Sequence, residues 1–304
     1  MVALKWRSPY FYAMSRAVSA IGLFTAACAR PLSPPVLGPL PFATDTARIE
    51  RIADGIWYRY LYAPSGPWAI HVLDVDLAHC NRIVAVKGST TAAGRTKTTQ
   101  LLAGLARKTT DGRVVAGVNA DFFSLANGTP VGPLVVDGRV LFSSIAEPFF
   151  AIDPDGHAFL GRLTEADEGS PGRLSQAVGG HPFLVRDSIV TGDVDTNGDA
   201  GFRGRNPRTA VGIARNGHRV LLTVIDGRQK PYSDGTSLRE TANILRALGA
   251  RDALNLDGGG SSTLVYAVPG ANDSSTLRIA NRPSDALGER PVGDALAIVS
   301  SCAP

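Results

Sequence analysis

The chain has 304 residues, of which 44% are hydrophobic and 19% are charged, which is typical of a folded globular protein. A formal net charge of only +4, without a long run of Lys or Arg, excludes an obvious nucleic-acid-binding protein. The five histidines and three cysteines lack metal-ligand spacing and no nucleotide-binding motif is present, so neither a metal nor another cofactor is predicted.

Residues 1–27 have the pattern of an export signal. Lys5, Arg7 and Arg16 make the start of the chain basic, and residues 17–27 form an apolar run that is too short to span a bilayer. Removing this segment takes three positive charges from +4 and leaves +1. The sequence therefore predicts an exported protein, in the periplasm or cell envelope, with a nearly neutral mature domain.

Cys28 ends the segment Thr-Ala-Ala-Cys, which is similar to a bacterial lipoprotein box with Thr25 in place of the usual Leu. Two interpretations stay open: a lipoprotein attached to the membrane through Cys28, or plain secretion. Residues 28–45 are rich in proline and are predicted to form a tether, followed by one domain over residues 46–304. The prolines are Pro31, Pro34, Pro35, Pro39 and Pro41.

The other two cysteines flank predicted strands at opposite ends of the domain. Cys80 follows an early apolar strand and Cys302 follows the last one. In an exported protein they are candidates for a disulfide, and two small buried thiols are the alternative.

Short apolar runs separated by turn dipeptides such as Asp137-Gly138 dominate the domain and predict many short strands. Helices are expected over residues 98–107 and 237–248, the second with Ser237 and Glu240 as a capping box. The predicted fold is α+β, with mixed, mostly antiparallel β-sheets and two or three helices in a single domain.

The most informative segment is residues 253–265, in which two apolar runs flank Asn255, Asp257, three glycines and three hydroxyl residues. Consecutive glycines are useful where the backbone needs positive φ or close approach. Polar groups around exposed N–H donors are typical of a site for a polar or anionic ligand. A glycine-rich hairpin turn is the alternative, but it leaves Asn255 and Asp257 unexplained.

Several other segments have a similar polar character at strand ends. Asn119 and Asp121 follow a buried strand, where an Asx turn is the alternative. Arg208 and Thr209 begin a strand, where the arginine could bind an anion or form a surface salt bridge. Asp226 and Arg228 form the last pair, where a hairpin turn is the alternative. His181 is the one histidine in a loop of functional character, and Glu240 is ambiguous because capping already explains it.

Residues 193–199 match the first half of a calcium-binding loop. Gly204 stands where the twelfth, acidic ligand is expected, and flanking helices are not predicted. A solvated loop is therefore the preferred interpretation.

Together the motifs resemble the phosphodiester glycosidase family over roughly residues 70–300. They occur in the family order: Asn119-x-Asp121-Phe122-Phe123, Leu134 to Gly138, Gly179-Gly180-x-Pro182, Pro207-Arg208-Thr209, Asp226-Gly227-Arg228, Asn255-x-Asp257-Gly258-Gly259-Gly260-Ser261-Ser262-Thr263 and Asn281-Arg282-Pro283-Ser284-Asp285. Ala120 stands where many relatives have Gly. The resemblance implies hydrolysis of the glycosidic C–O bond of a sugar-1-phosphodiester, such as a GlcNAc-1-phosphodiester in an envelope or exopolysaccharide glycan.

The chemistry assigns roles to these residues. Asp257 is predicted to lie nearest the anomeric carbon or to act as the base for water, with Asp226 and Asp121 as further catalytic candidates. Arg208 and Arg228 are expected to hold the phosphate. The remaining predicted substrate-binding residues are Asn119, Thr209, Asn255, Gly258, Gly259, Gly260, Ser261 and Ser262.

Two other functions remain open. One is a non-catalytic glycan-binding or polysaccharide-assembly lipoprotein, and the other is a calcium-assisted phosphodiesterase that breaks a P–O bond. The sugar, the group across the phosphate and the anomeric outcome are not determined by the sequence.

Overall fold

The computed structural model describes residues 33–35, 37–144, 147–163, 174–214, 217–268 and 277–302, which belong to one compact unit, Leu32–Pro304. The predicted export signal and Cys28 lie outside the described residues. Export, lipidation and the boundaries of the tether and domain therefore stay predictions.

Among the described residues, twenty strands form three large sheets and one small one. The eight-stranded sheet has the order β1-β2-β3-β15-β14-β16-β12-β13, and the two five-stranded sheets have the orders β10-β9-β11-β7-β8 and β18-β17-β6-β20-β4. Strands β19 and β5 form a separate pair. The strand bounds are β1 Thr46–Ala53, β2 Ile56–Ala63, β3 Trp68–Asp76, β4 Asn81–Val86, β5 Thr96–Lys97, β6 Arg113–Asn119, β7 Leu134–Val136, β8 Arg139–Phe142, β9 Pro148–Ile152, β10 Ala158–Arg162, β11 Gln176–Gly179, β12 Phe183–Arg186, β13 Ile189–Val190, β14 Arg208–Ala214, β15 Arg219–Ile225, β16 Asp252–Asn255, β17 Leu264–Ala267, β18 Leu277–Ile279, β19 Pro291–Val292 and β20 Ala295–Ser300.

The mostly antiparallel character is confirmed, but the expectation of mixed sheets is wrong, since every pairing among the described strands is antiparallel. The Asp137-Gly138 turn shows why such dipeptides predict hairpins. Both residues have positive φ, 49° and 73°, and they join β7 directly to β8, as a tight two-residue turn requires. Asp226-Gly227 instead leads from β15 into the loop before a helix, so the hairpin interpretation is wrong there.

The described residues contain four α-helices, more than the two or three expected: α1 Thr98–Ala106, α2 Asp193–Thr196, α3 Ala200–Arg203 and α4 Leu238–Ala247. Two of these are single turns, too short to produce a periodic hydrophobic pattern. The capping box at Ser237 and Glu240 is confirmed in α4. No helix in the described part of the chain is both long and apolar enough to cross a membrane.

The main core lies among the three large sheets and includes Leu73, Val118, Phe150, Leu222 and Leu254. A second core forms where α4 buries Leu238, Ala242 and Leu245 against the other face of the eight-stranded sheet. A third lies under α1, and a smaller one lies on the second sheet. The strands that carry the polar segments are therefore fixed by packed cores.

Two features secure the beginning and end of the described chain. Leu37, Leu40 and Phe42 pack against the core beneath α4. Cys80 and Cys302 form a disulfide with a Cα–Cα distance of 5.3 Å, which joins the turn before β4 to the end of β20. The alternative of two separate thiols is wrong.

Antiparallel register places the polar segments together. Ala295 at the start of β20 pairs with Asn119 at the end of β6, and Ala210 near the start of β14 pairs with Asn255 at the end of β16. In each of these two sheets, a strand start and a strand end that carry polar residues therefore meet at one edge, and a hydrogen bond from the Asp257 N–H to the Ala120 carbonyl joins the two sheets there.

Candidate active site

Ala120 joins the segments of this edge through its backbone. Its N–H donates to the carbonyl of Asp294 (3.3 Å), and its carbonyl accepts from the N–H of Asp257 (2.9 Å). The side chain of Asn119 also donates to the Asp257 carbonyl (2.6 Å). The segments that follow β6 and β16 and precede β20 are thus held next to one another. The carboxyl groups of Asp121, Asp257 and Asp294 lie near enough to oppose one another's ionisation and are called here the carboxyl cluster.

The three glycines after Asp257 allow a close backbone approach. A Cβ at Gly258 would lie 2.6 Å from the Pro207 carbonyl, and Gly259 has φ of +61°. A Cβ at Gly260 would overlap the side chains of Asp285 and Arg290. A side chain at any of the three positions would therefore strain or displace the turn that carries Asp257.

Burial raises the pKa of the Asp257 carboxyl from 3.8 to about 7. The negative charge of Asp294 acts in the same direction, while Ser261, Arg290 and the Gly258 N–H favour the ionised form less strongly. Part of the Asp257 residue still reaches solvent although protein atoms surround its carboxyl group. A carboxyl that changes protonation near neutral pH is suited to acid–base work.

Asp121 and Asp294 form a buried carboxyl pair behind Asp257. Asp294 Oδ1 accepts from the Asp121 N–H (2.8 Å), and Asp121 Oδ2 accepts from the Gly132 N–H (2.7 Å). Asp121 Oδ1 and Asp294 Oδ2 are buried without a hydrogen-bond partner among the described residues. Burial raises the pKa of Asp294 to about 6 and raises that of Asp121, whose ionisation Asp294 and Asp257 further oppose.

Asp294 is not among the site residues predicted from the sequence. It precedes the apolar strand β20 and is fully buried, whereas an isolated aspartate in such a place usually marks a turn. The available signal was its position within Val292-Gly293-Asp294-Ala295-Leu296, a carboxylate inside an otherwise apolar run. Such a residue is costly to bury unless it is paired or functional.

Arg208 lies beside the glycine turn and is almost completely buried. Its Nε donates to the Thr236 carbonyl, and its Nη2 donates to the carbonyls of Phe202 and Gly204. Nη1 has no hydrogen bond to a described residue, and no carboxylate of the described chain pairs with this guanidinium. Burial and the nearby Arg228 lower the pKa of Arg208 to about 10, which leaves it charged at neutral pH.

Arg228 supplies a second cation at the same place. It adopts a left-handed backbone conformation with φ of +58°, and its guanidinium donates to Asn206 Oδ1 (2.8 Å). A Cβ at Gly259 would lie 3.3 Å from its Nη1, so the guanidinium lies over the glycine turn. A buried and an exposed arginine thus flank the turn, as an anion site requires.

The N–H groups of the glycine turn are not equally available. The Gly259 N–H donates to the Pro207 carbonyl (2.9 Å), and the Gly258 N–H faces the Asp257 carboxylate. The Gly260 N–H has no acceptor among the described residues and is the remaining donor for a ligand. Ser261 and Ser262 follow it; the Ser261 hydroxyl faces the Asp257 carboxyl, and the Ser262 hydroxyl is buried without a partner among the described residues.

Three predicted sugar-binding residues lie inside the protein. Thr209 donates to Asn119 Oδ1 (2.8 Å), and both side chains are fully buried. Asn255 donates to the His181 carbonyl (2.7 Å) but leaves its Oδ1 without a partner among the described residues. The structure therefore places Asn119 and Thr209 as supports of the Asp257 segment.

Asp226 is fully buried and saturated with hydrogen bonds. Its carboxylate accepts from His71, Tyr232 and Asn281, and from the N–H of Arg282, at 2.9–3.2 Å. These donors come from segments that are far apart in the chain, so Asp226 holds them together. Its catalytic role stays a prediction, but no lone pair is left open as in the carboxyl cluster.

His181 lies next to the carboxyl cluster, and its ring stacks on Phe122, the residue after Asp121, with ring centroids 4.2 Å apart. Its Nδ1 is 3.2 Å from Glu147. Burial lowers the pKa of His181, and Glu147 opposes that change. Glu240 is occupied by its capping role and by Arg205.

The segment that resembles a calcium loop has other partners. Asp195 pairs with Arg239, and Asp199 accepts from the Phe202 N–H (2.7 Å) as the cap of α3. Ligand atoms of Asp153, Asp155 and His157 lie within 4.8 Å of one another at the β9–β10 turn, the kind of exposed acidic turn that is common without an ion.

The described strands define an antiparallel β protein, and the carboxylate–arginine arrangement is a candidate site for an anionic ligand. Comparison with known proteins identifies the family. The phosphodiester glycosidase model matches residues 112–299. The chain therefore belongs to the phosphodiester glycosidase family, which confirms the resemblance of the motifs.

The relatives agree with this result. N-acetylglucosamine-1-phosphodiester alpha-N-acetylglucosaminidase from Mus musculus is 32% identical over 161 residues, which are 48% of this chain and 31% of the relative. The Bos taurus enzyme of the same name is 32% identical over 163 residues, 48% of this chain and 30% of the relative. The match thus spans only about a third of these relatives.

The zebrafish protein of that name supports the fold. Its catalytic domain has a TM-score of 0.61 and 20% sequence identity, with 84% of this chain and 88% of that chain covered. A protein from Synechocystis has a TM-score of 0.57 and 15% identity, covering 84% of this chain and 64% of the other.

Proposed function

We propose that this protein hydrolyses the glycosidic C–O bond of a sugar-1-phosphodiester of the GlcNAc-1-phosphodiester kind, in envelope or exopolysaccharide glycans. The observation that carries this proposal is the carboxyl cluster of Asp121, Asp257 and Asp294 beside an arginine-flanked glycine turn. Membership of the phosphodiester glycosidase family supports the same reaction.

In this reaction the oxygen of a water molecule forms a bond to the anomeric carbon while the bond from that carbon to the phosphate oxygen breaks. The electron pair leaves with the phosphate oxygen and gives a phosphomonoester, and the proton of water passes to a carboxylate. The transition state has oxocarbenium character, which a nearby carboxylate stabilises. Asp257 is the carboxyl that takes this role, as the base for water or as the carboxylate nearest the anomeric carbon.

The leaving group explains the arginines. A phosphomonoester, with a second pKa of about 6, leaves far more readily than a sugar alkoxide. It therefore needs stabilisation of negative charge more than a strong acid. The donors available to stabilise this charge are Arg208 Nη1, Arg228 and the Gly260 N–H.

Asp121 and Asp294 adjust the proton affinity of Asp257. Like charges in a buried group oppose each other's ionisation, so a proton held by the inner pair favours ionised Asp257. The remaining oxygens, Asp121 Oδ1 and Asp294 Oδ2, are buried without a partner among the described residues and can accept a hydrogen bond from a buried water.

We also propose that the protein is exported and is attached to the cell envelope through a lipid on Cys28. The basic and apolar pattern of residues 1–27 supports export. The disulfide between Cys80 and Cys302 supports an oxidising compartment. Mass measurement of Cys28 in protein from the native envelope tests lipidation.

The activity is tested by incubating the purified protein with methyl GlcNAc-1-phosphate in water enriched in ¹⁸O, with and without a chelator. Mass spectrometry then follows free sugar and methyl phosphate. We expect chelator-insensitive release of sugar together with methyl phosphate that carries no ¹⁸O, because the C–O bond breaks, and loss of release in Asp257→Asn.

The other outcomes contradict the proposal in different ways. Label in the phosphate and loss of activity with chelator indicate P–O cleavage by a metal-assisted phosphodiesterase. Binding without release, across a panel of sugar-1-phosphodiesters, indicates a glycan-binding protein. Full turnover in Asp257→Asn removes Asp257 from the reaction.

A further inference from the structure

Three aromatic rings lie together beside the carboxyl cluster and form what we call the aromatic shelf: Phe122, His181 and Phe202. The rings of Phe122 and His181 stack at 4.2 Å with planes 17° apart. Phe202 lies 6.0 Å from Phe122 and 5.7 Å from His181. All three residues are only partly buried, and Phe202 also packs against the core beneath α4, so part of the shelf surface faces solvent.

The shelf connects the two charged parts of the site. At one end Phe122 directly follows Asp121 in the chain. At the other end the Phe202 carbonyl accepts from Arg208, and the Arg208 Cζ lies 5.6 Å from the centre of the Phe202 ring. A ligand on the shelf therefore has carboxyl groups on one side and a cation on the other.

The rings are held in place by the backbone. The His181 carbonyl accepts from Asn255, two residues before Asp257. The Phe202 N–H donates to Asp199, and a Cβ at Gly198 would lie 2.6 Å from the Phe202 ring. Fixed rings lose little freedom when a ligand binds, which favours recognition.

A pyranose ring has the shape and chemistry for this surface. One of its faces presents C–H groups, which pack against apolar aromatic rings, while its hydroxyl groups at the edge need hydrogen-bond partners. Glu147, with Oε2 3.2 Å from His181 Nδ1, supplies acceptors at the edge of the shelf.

We infer that the aromatic shelf binds the apolar face of the sugar that the enzyme releases, with the anomeric carbon toward Asp257 and the phosphate toward Arg208. The inference rests on the proposed function. It assigns recognition of the sugar to Phe122, His181 and Phe202 and leaves the group across the phosphate outside the shelf.

The test measures binding of free monosaccharides to the intact protein by saturation-transfer NMR and titration calorimetry, using GlcNAc, GalNAc, glucose, galactose and mannose. We expect at least one to bind, and Phe122→Leu and Phe202→Leu to raise its Kd by about threefold to tenfold. Phe183→Leu is the matched control, because Phe183 is also partly buried but packs under Arg186. The Kd of the Phe183→Leu variant for the monosaccharide is expected to equal that of the wild type. Melting temperatures show whether each variant is folded.

The outcomes separate this inference from the proposed reaction. If none of the sugars binds, or if the shelf variants bind like the wild type, the shelf assignment is wrong even when a phosphodiester is cleaved. If sugar binding depends on the shelf but no phosphodiester is cleaved, the shelf is correct and the proposed reaction is wrong. Methyl phosphate is titrated in the same way. If the shelf variants lose more affinity for methyl phosphate than for the sugar, the shelf binds the other side of the bond and the inference is wrong.

Discussion

The buried carboxylates of this protein differ in how completely their oxygens are hydrogen-bonded. Asp74 lies in the eight-stranded sheet, where Arg219 binds both of its oxygens at 2.7 Å and Arg59 approaches to 3.4 Å. Asp121 and Asp294 are equally buried, yet each has an oxygen without a partner among the described residues.

The difference distinguishes a carboxylate that stabilises the fold from carboxyl groups that are suited to catalysis. A buried carboxylate between two arginines has its charge compensated, and its free-energy contribution is structural. Carboxyls that face one another without a cation at hydrogen-bond distance have raised pKa values and reduce stability when ionised. A protein retains such an arrangement when it has a use for the proton or the open oxygen.

Among the variants that test this comparison, Asp257→Asn is expected to have the largest effect. Removing a carboxylate that acts as the base is expected to reduce kcat by about 10²- to 10⁴-fold. The melting temperature is expected to stay equal or rise, because an amide avoids the cost of burying a charge. Steady-state kinetics with a sugar-1-phosphodiester and thermal unfolding of the same sample measure both. A lower melting temperature with normal kcat would make Asp257 a structural residue.

Asp74→Asn is expected to give the reverse result. It leaves two buried guanidinium groups without their shared anion, which costs about 3–5 kcal/mol. Urea unfolding measures this free-energy change, and kcat per folded molecule is expected to match the wild type. Unchanged stability would remove the distinction between the two carboxylate groups.

The carboxyl cluster also predicts a dependence of stability on pH. The pKa values of Asp257 and Asp294 are raised to about 7 and about 6 in the folded protein, above the value near 3.9 in an unfolded chain. The folded state therefore binds more protons between these limits. The stabilising contribution of the two groups is full below pH 4 and is lost as pH rises through 6 and 7.

Melting temperatures between pH 5 and pH 8 test this dependence. We expect the wild type to lose stability across this range and Asp294→Asn to lose less. The lowered pKa of His181 acts in the opposite direction, so the comparison is made in a His181→Gln background as well. A parallel decline in both proteins would show that Asp294 does not titrate in this range.

Local patterns predicted much of this site. Polar residues directly after apolar runs identified the segments around Asn119, Asp257 and Arg208, because strand ends in a packed sheet must carry the residues that leave the core. The same patterns could not predict that the Asp226 carboxylate is fully hydrogen-bonded while that of Asp294 has an oxygen without a partner among the described residues. His71 is 155 residues from Asp226, and Asn281 is 55 residues away. Whether a carboxylate is saturated or open depends on partners that only the fold brings together.

The smallest expected effect concerns the cationic side of the site. Arg228 is exposed and already bound to Asn206, so its bond to a phosphate is worth less than that of a buried arginine. Arg228→Ala is expected to raise KM about tenfold, with a smaller change in kcat, because a charge-assisted hydrogen bond to the phosphate is lost in both the bound and the transition state. Arg239→Ala is the matched control, since that exposed guanidinium pairs with Asp195 instead. A change in kcat that exceeds the change in KM would place Arg228 among the groups that stabilise charge developing on the leaving phosphate, and equal kinetics in the two variants would remove it from the phosphate site.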